Sequence, residues 1–395
     1  MRHLNKWPNG FAIGVAMVAL AMVAGPAGAA DPVKIGLVAA LSGQAAKSGE
    51  GITRGLTVAI DEINAKGGVL GGRKLELVRR DDESNPSKGQ IAARELIDRE
   101  KAVALFGGID SPVSLAIIPV INKEKIPFMG VWAAATNITR NGADPNFAFR
   151  VSAVDVLVDK ALVNYASKTY SAKNPGMILI NNPWGESNEK GLTAALEEMK
   201  LGKAGVEKFE DKDVDMVPQL TRLKAGGADA VFLVANPAPG SQVMKSIQRM
   251  GWNVPVVSHW GISGGRFPEL AGAMAEKVDF IQTFSFFGQL NPTGQKVMKA
   301  LQAKFSDIKG PGDVVPPVGV ANAYDAMMLL GMAIEKAGSA DGDKIRLALQ
   351  DLGKYEGLIK TYDKPFTATN HDALNEHDYV MVRYAGEEIK PLAMK

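Results

Sequence analysis

Cysteine is absent from the 395 residues. That excludes disulfides, thiolate metal sites, thiol nucleophiles and a lipid-bearing cysteine at a processed N-terminus. A chain this long buries enough apolar surface without disulfides, so the absence does not assign a redox compartment. Histidine is scarce at four residues, one of them His3. Aromatic residues make up 7% of the chain, so its five tryptophans count individually. Neither sign of charge dominates. The first 30 residues hold Arg2, Lys6 and no acid, and the rest balances 43 basic against 43 acidic residues. No basic block stands out, which makes nucleic acid and anionic membrane surfaces poor partners. No Gly-x-Gly-x-x-Gly follows the first strand signal, and there is no Walker loop and no Gly-x-Ser-x-Gly elbow. The sequence therefore gives no support to an α/β enzyme, and no cofactor is implied.

Long apolar runs are missing too, with one exception. Phe11 to Gly25 is uncharged and mostly apolar, follows the basic start, and leads to Ala27-Gly28-Ala29. The run of about 15 residues is shorter than the roughly 20 that span a bilayer. Residues 1–29 therefore read as a secretory signal peptide cleaved near Ala29. The mature chain is expected to be exported, soluble and free of membrane insertion.

Beyond residue 30, strand and helix signals alternate. Val33–Val38 is a short β-like run, and Ile52, Leu56, Ala59, Ile60 and Ile63 then recur at helical spacing. Pro86–Arg99 is helical with Asn85 as its cap. Val103–Phe106 reads as a buried strand, Pro112–Lys123 as a helix and Ile126–Val131 as a strand. A second series runs through Ala161–Lys168, Met177–Ile180, Glu186–Lys200, Val217–Lys224, Ala228–Val234 and Gly240–Met250. Long helices are expected at Thr293–Lys304 and Val320–Ala337, the latter carrying a methionine cluster best read as core packing. The rhythm argues for two α/β lobes, each a parallel sheet wound on both faces by helices. No tandem repeat is present, and no flexible linker separates the lobes near Arg150.

Particular residues then narrow the field. Thr53-Arg54-Gly55, Asp61–Gly68 and Gly71–Leu77 resemble the start of the leucine/isoleucine/valine-binding protein family of periplasmic solute-binding proteins. Asp81-Asp82, Pro127, Phe149-Arg150 and Gly226–Leu233 fit the same family, and the resemblance spans essentially the whole mature chain. It implies a type I periplasmic binding fold: two doubly wound lobes, three crossovers and a central ligand cleft that closes by hinge motion. On that pattern 30–150 and 285–360 form one lobe, and 151–284 and 361–395 the other. The implied partners are a small-molecule ligand and, transiently, an ABC permease, with the protein itself a monomer. A sensor that reports to a receptor uses the same fold, and a periplasmic scaffold protein is a third class; sequence does not separate these from an importer.

The resemblance also nominates a site. Ser111 follows a strand ending in Gly107-Gly108 and precedes Pro112, so it reads as a helix N-cap, where free N–H groups attract a carboxylate. The next loop places Trp132 and Ala134 at family contact positions, with Thr136 two residues on. In the second lobe Trp184, Asn236 and Trp260 fall on family positions, Trp260 where an amino-acid binder carries the glutamate that pairs the ligand ammonium. Ser48 and Tyr324 complete the set. A buried ammonium needs such a partner, so three tryptophans without it favour an aromatic or bulky apolar acid. A hydrophobic amino acid is the alternative, since tryptophan faces also hold cations. Other features have plainer readings. Phe284, Phe286 and Phe287 read as packing under the hinge, Asp81 and Asp82 as a turn pair, and His371-Asp372 with His377-Asp378 as a solvated C-terminal turn rather than a metal site.

Overall fold

The computed structural model describes residues 31–392, so the expected signal peptide and its cleavage site lie outside the described residues. The first sheet forms from β1 (Val33–Ala39), β2 (Leu75–Asp81), β3 (Ala104–Gly107), β4 (Phe128–Gly130) and β5 (Ala148–Arg150). Their order is β2-β1-β3-β4-β5, and every neighbouring pair is parallel. The strands alternate with α1 (Ala46–Ala65), α2 (Pro86–Asp98) and α3 (Ser111–Glu124). Parallel strands covered on both faces read as unbroken apolar runs, and all four residues of β3 are buried.

The second lobe repeats the scheme. It alternates α4 (Asp155–Tyr170), β6 (Gly176–Ile180), α5 (Pro183–Glu198), β7 (Gly205–Phe209), α6 (Val217–Ala225), β8 (Val231–Val234), α7 (Pro237–Arg249), β9 (Val256–Ser258), α8 (Phe267–Ala271) and β10 (Val278–Gln282). The chain then returns to the first lobe with α9 (Pro292–Lys304), α10 (Pro317–Ala337), α11 (Gly342–Leu349) and a small hairpin, β11 (Tyr355–Glu356) and β12 (Thr361–Tyr362). It ends in the second sheet with β13 (Val380–Ala385) and β14 (Glu388–Pro391). That sheet has the order β14-β13-β10-β9-β8-β6-β7 and is parallel except for its last two strands.

Helix α10 has the length and apolar composition to cross a membrane, contrary to the expectation that only the N-terminal run approaches this. It is a core helix, with 89% of its apolar window buried. It packs on α1 almost backbone to backbone, since a Cβ on Gly55 would overlap the Val320 carbonyl.

Three segments join the lobes: Arg150 to Asp155, Gln282 to Pro292 and Ala373 to Val380. The last begins later than the expected 361. The Arg150 N–H donates to the His371 carbonyl and the Ala373 N–H to the Arg150 carbonyl, so residues 371–373 run beside β5 in the first lobe. His371 and Asp372 are not a solvated turn either. The His371 ring stacks on Phe149 with centroids 4.1 Å apart. The fully buried Arg150 donates to Asp372 (2.8 Å), the Ala135 carbonyl and the Thr139 hydroxyl. Burial pushes Asp372 up, but the Arg150 charge and the hydrogen bonds it accepts from Arg150 and the Thr139 hydroxyl override it and hold the carboxyl below its usual range.

Candidate functional site

Eight of the nine nominated residues follow the carboxyl ends of parallel strands: Ser48 after β1, Ser111 after β3, Trp132, Ala134 and Thr136 after β4, Trp184 after β6, Asn236 after β8 and Trp260 after β9. This is where an α/β sheet presents its loops to a ligand. The ninth, Tyr324, is elsewhere. Its hydroxyl donates to Glu62 at 2.7 Å. Glu62 lies fourteen residues along α1 from Ser48, about 21 Å of helix at 1.5 Å per residue. Burial raises Glu62, while Lys296, Lys66 and Tyr324 override it and hold it near 2. Tyr324 therefore serves the outer α1–α10 packing and not the cleft.

Ser48, Trp132 and Trp184 meet at the turn from Trp260 to Gly264, with the lobes closed upon each other. Trp132 of the first lobe meets Trp260 of the second with centroids 5.7 Å apart. Trp184 is set by a capped helix start, with Asn182 accepting from the Trp184 and Gly185 N–H groups and Pro183 in the first turn. Its ring lies on Gly261, where a Cβ would overlap it. Ser48 donates to the Gly264 carbonyl at 3.0 Å, and a Cβ on Gly264 would overlap the Ser48 hydroxyl. The turn thus carries glycine where the opposite lobe and the tryptophan press closest.

Ser111 differs from its expected role. Asp110 occupies the N-cap and Ser111 the first helical position. Its hydroxyl accepts from the Ala135 N–H at 3.1 Å, which leaves its own proton free to donate. Thr136 bridges the lobes: its N–H donates to Ser187 and its hydroxyl accepts from the Val156 N–H. A cavity of about 290 Å³ opens beside it, lined by Ala135, Thr136, Val156, Ser187 and Lys190 among others. Asn236 reaches across to Asp110, with Nδ2 3.4 Å from Oδ1.

Sequence reasoning missed two residues at the centre. Asp155, fully buried at the start of α4, donates its N–H to the Ala134 carbonyl. Its Oδ1 lies 3.0 Å from His259 Nε2 and 3.3 Å from the Trp184 indole nitrogen. His259 Nδ1 accepts the Trp260 N–H, so its Nε2 carries the proton that Asp155 receives. Asp155 Oδ2 has no hydrogen-bond partner among the described residues. The only signal available was His259 beside Trp260, because Asp155 and His259 are 104 residues apart.

This geometry has relatives. The profile of the periplasmic binding protein family matches residues 32–388. The chain belongs to the periplasmic binding protein family. It is a binding protein and not an enzyme. A Leu/Ile/Val-binding protein homolog from Brucella melitensis is 25% identical over 87% of this chain and 90% of its own. Among solved structures, a branched-chain amino acid transporter substrate binding protein from Streptococcus pneumoniae, in complex with isoleucine, superimposes with a TM-score of 0.77 at 24% identity, covering 91% of this chain and 98% of its own. An ABC-transporter solute-binding protein from R. palustris, in complex with 4-hydroxybenzoate, gives 0.78 at 20% identity, covering 92% and 96%. Both solved structures share the two-lobed fold of this periplasmic binding protein.

Proposed function

We propose that the protein closes on a small organic acid with an aromatic or bulky apolar body and delivers it to an ABC permease of the inner membrane. The observation that carries this reading is the pairing of Trp132 and Trp260 across the cleft, with Trp184 on the adjoining wall. Offset aromatic faces contribute most to a planar apolar ligand. Ser111, at the positive end of α3, offers its hydroxyl proton to the carboxylate. The R. palustris relative in complex with 4-hydroxybenzoate agrees with this chemistry. On this reading residues 1–29 direct export to the periplasm, and the mature chain works as a monomer.

One observation favours a second reading, a hydrophobic amino acid. Asp155 Oδ2 is a buried acceptor without a donor, and an ammonium would supply one. The isoleucine complex of the Streptococcus relative is consistent with that choice.

A thermal-shift panel decides between them. The chain from residue 30, refolded to remove carried ligand, is screened against benzoate, 4-hydroxybenzoate, leucine, isoleucine and valine. Ligand at about a thousand times its Kd adds about 4 kcal/mol of stability. A shift with the aromatic acids alone supports the first reading. A shift with the amino acids alone replaces it with the second. Loss of uptake on deletion of the gene separates an importer from a sensor.

A further inference from the structure

Asp155 stands where the first of the joining segments enters α4, and it touches three parts of the cleft at once. Its N–H donates to the Ala134 carbonyl of the first lobe at 2.9 Å. One carboxylate oxygen, Oδ1, receives two donors of the second lobe, the Trp184 indole N–H at 3.3 Å and His259 Nε2 at 3.0 Å. The His259 ring lies between two tryptophans, edge-on to Trp184 (centroids 5.1 Å apart, planes at 84°) and to Trp260 (5.7 Å, 71°). Its Nδ1 accepts the Trp260 N–H at 2.8 Å, so the orientation that Asp155 gives the imidazole passes to the backbone of the Trp260 turn. Ser152, on the same joining segment, donates to the Trp132 carbonyl at 2.8 Å. All three tryptophans are thus tied by hydrogen bonds to residues 152–155, Trp260 through His259. Asp155 and His259 are both 0% exposed, so solvent does not replace a bond lost at either.

We propose that Asp155 is a positioning residue that sets the cleft's preference for planar ligands, by holding Trp184 directly and Trp260 through His259. An aromatic ligand gains from tryptophan faces only at a set offset and tilt. Side chains locked by hydrogen-bonded partners keep that geometry before the ligand arrives. A carboxylate suits the task, because one oxygen has lone pairs for both N–H groups and a charged acceptor holds them more strongly than a neutral one. The bond to Ala134 ties the same residue to the loop that carries Trp132, so the walls are held in register across the lobes. This role uses Oδ1. It is separate from an ammonium contact at Oδ2, which the second reading above would give the same side chain.

This rests on the cleft-binding reading above, yet its first test needs no ligand. The chain from residue 30 holds the five tryptophans less Trp7, so its proton–nitrogen NMR spectrum carries few indole signals, and Trp184→Phe assigns one of them. In Asp155→Ala the Trp184 indole signal is expected to move further than any other indole. In Asp155→Asn, whose carbonyl oxygen accepts from both donors, it is expected to move less. A Trp184 indole signal that stays in place in Asp155→Ala overturns the proposal. Should that variant not fold, His259→Leu decides: the Trp260 backbone amide is expected to shift while the Trp184 indole does not, and an unmoved Trp260 amide overturns the proposal. The second test is calorimetry with benzoate and its non-planar counterpart, cyclohexanecarboxylate. The wild type is expected to prefer benzoate, Asp155→Ala to lose about fivefold of that preference, and Asp155→Asn to keep most of it. Equal weakening of both acids in Asp155→Ala would mark a residue that only supports the fold, and overturns the proposal. Equal losses in Asp155→Asn and Asp155→Ala would assign the side chain to direct ligand contact at Oδ2, and overturn it too. If neither acid binds, the ligand reading fails while the indole spectra still decide this one.

Discussion

Trp260 is the residue on which the ligand reading turns. Replacing a desolvated tryptophan at the centre of a binding surface with alanine costs about 2–3 kcal/mol, or about 30- to 150-fold in Kd. Ser111→Ala removes one hydrogen bond and is expected to cost about 1 kcal/mol. Calorimetry of the two variants checks both, and wild-type affinity in Trp260→Ala would remove the tryptophan pocket from consideration. Asp82 gives a prediction about stability. Burial is the main cause that raises it to about 7, against hydrogen bonding from the Ser84 N–H. The native state then holds a proton that the unfolded chain releases near pH 4, so stability falls as pH climbs from about 4 to about 7. Asp82→Asn keeps the acceptor for Ser84 and removes the charge. It is expected to exceed the wild type by roughly 2–4 kcal/mol at pH 8 and to match it near pH 4 in urea unfolding.

At the scale of elements, the Trp260–Gly264 turn of the second lobe meets Ser48 and Trp132 of the first. Gly264→Ala would drive a methyl into the Ser48 hydroxyl, a clash that exists only when the lobes are closed. The variant is expected to bind ligand at least about tenfold more weakly while its ligand-free melting temperature changes little, and Ser48→Ala in the same chain should restore most of the affinity. A fall in melting temperature as large as the loss of affinity would place the role of Gly264 within its own lobe.

The alternation of strands and helices was legible because buried parallel strands such as β3 read as short apolar runs and helix starts carried Asn or Pro signals. Asn85 does accept from the Ser87 and Lys88 N–H groups. Strands β7 and β10 were among those that escaped notice, for the same reason in reverse. β7 is an edge strand with Glu207 and Lys208 in it, and β10 carries the polar residues Asp279 and Gln282 within its run. Helix α4 was legible only in its middle, because its first turn follows the β-like stretch Val151–Val154. The place of Trp132, Trp184 and Trp260 just after β4, β6 and β9 was legible through the family resemblance, because it rests on local position after strands. Asp155, His259 and Asp110 were not, because their meaning comes from partners in the opposite lobe or a hundred residues away. Tyr324 misled because a shared helix does not imply a shared face.

At the scale of the molecule, neither lobe is a continuous stretch of chain. The second sheet is finished by β13, which pairs antiparallel with β10 and fixes Arg383 on Asp279, where the Tyr165 and Tyr170 hydroxyls also donate. Removing residues 380–392 would bare the edge of β10 and leave Asp279 without its cation. An open apolar edge invites pairing with another chain. The truncated protein is therefore expected to run as oligomers on size exclusion and to melt earlier than the full chain; a stable truncated monomer would show that β10 protects itself. The same closing strand sets an order in time. The first lobe waits for α10, and the second for residues near 385. During synthesis the first lobe can therefore close once α10 has emerged, while the second stays open until β13 follows.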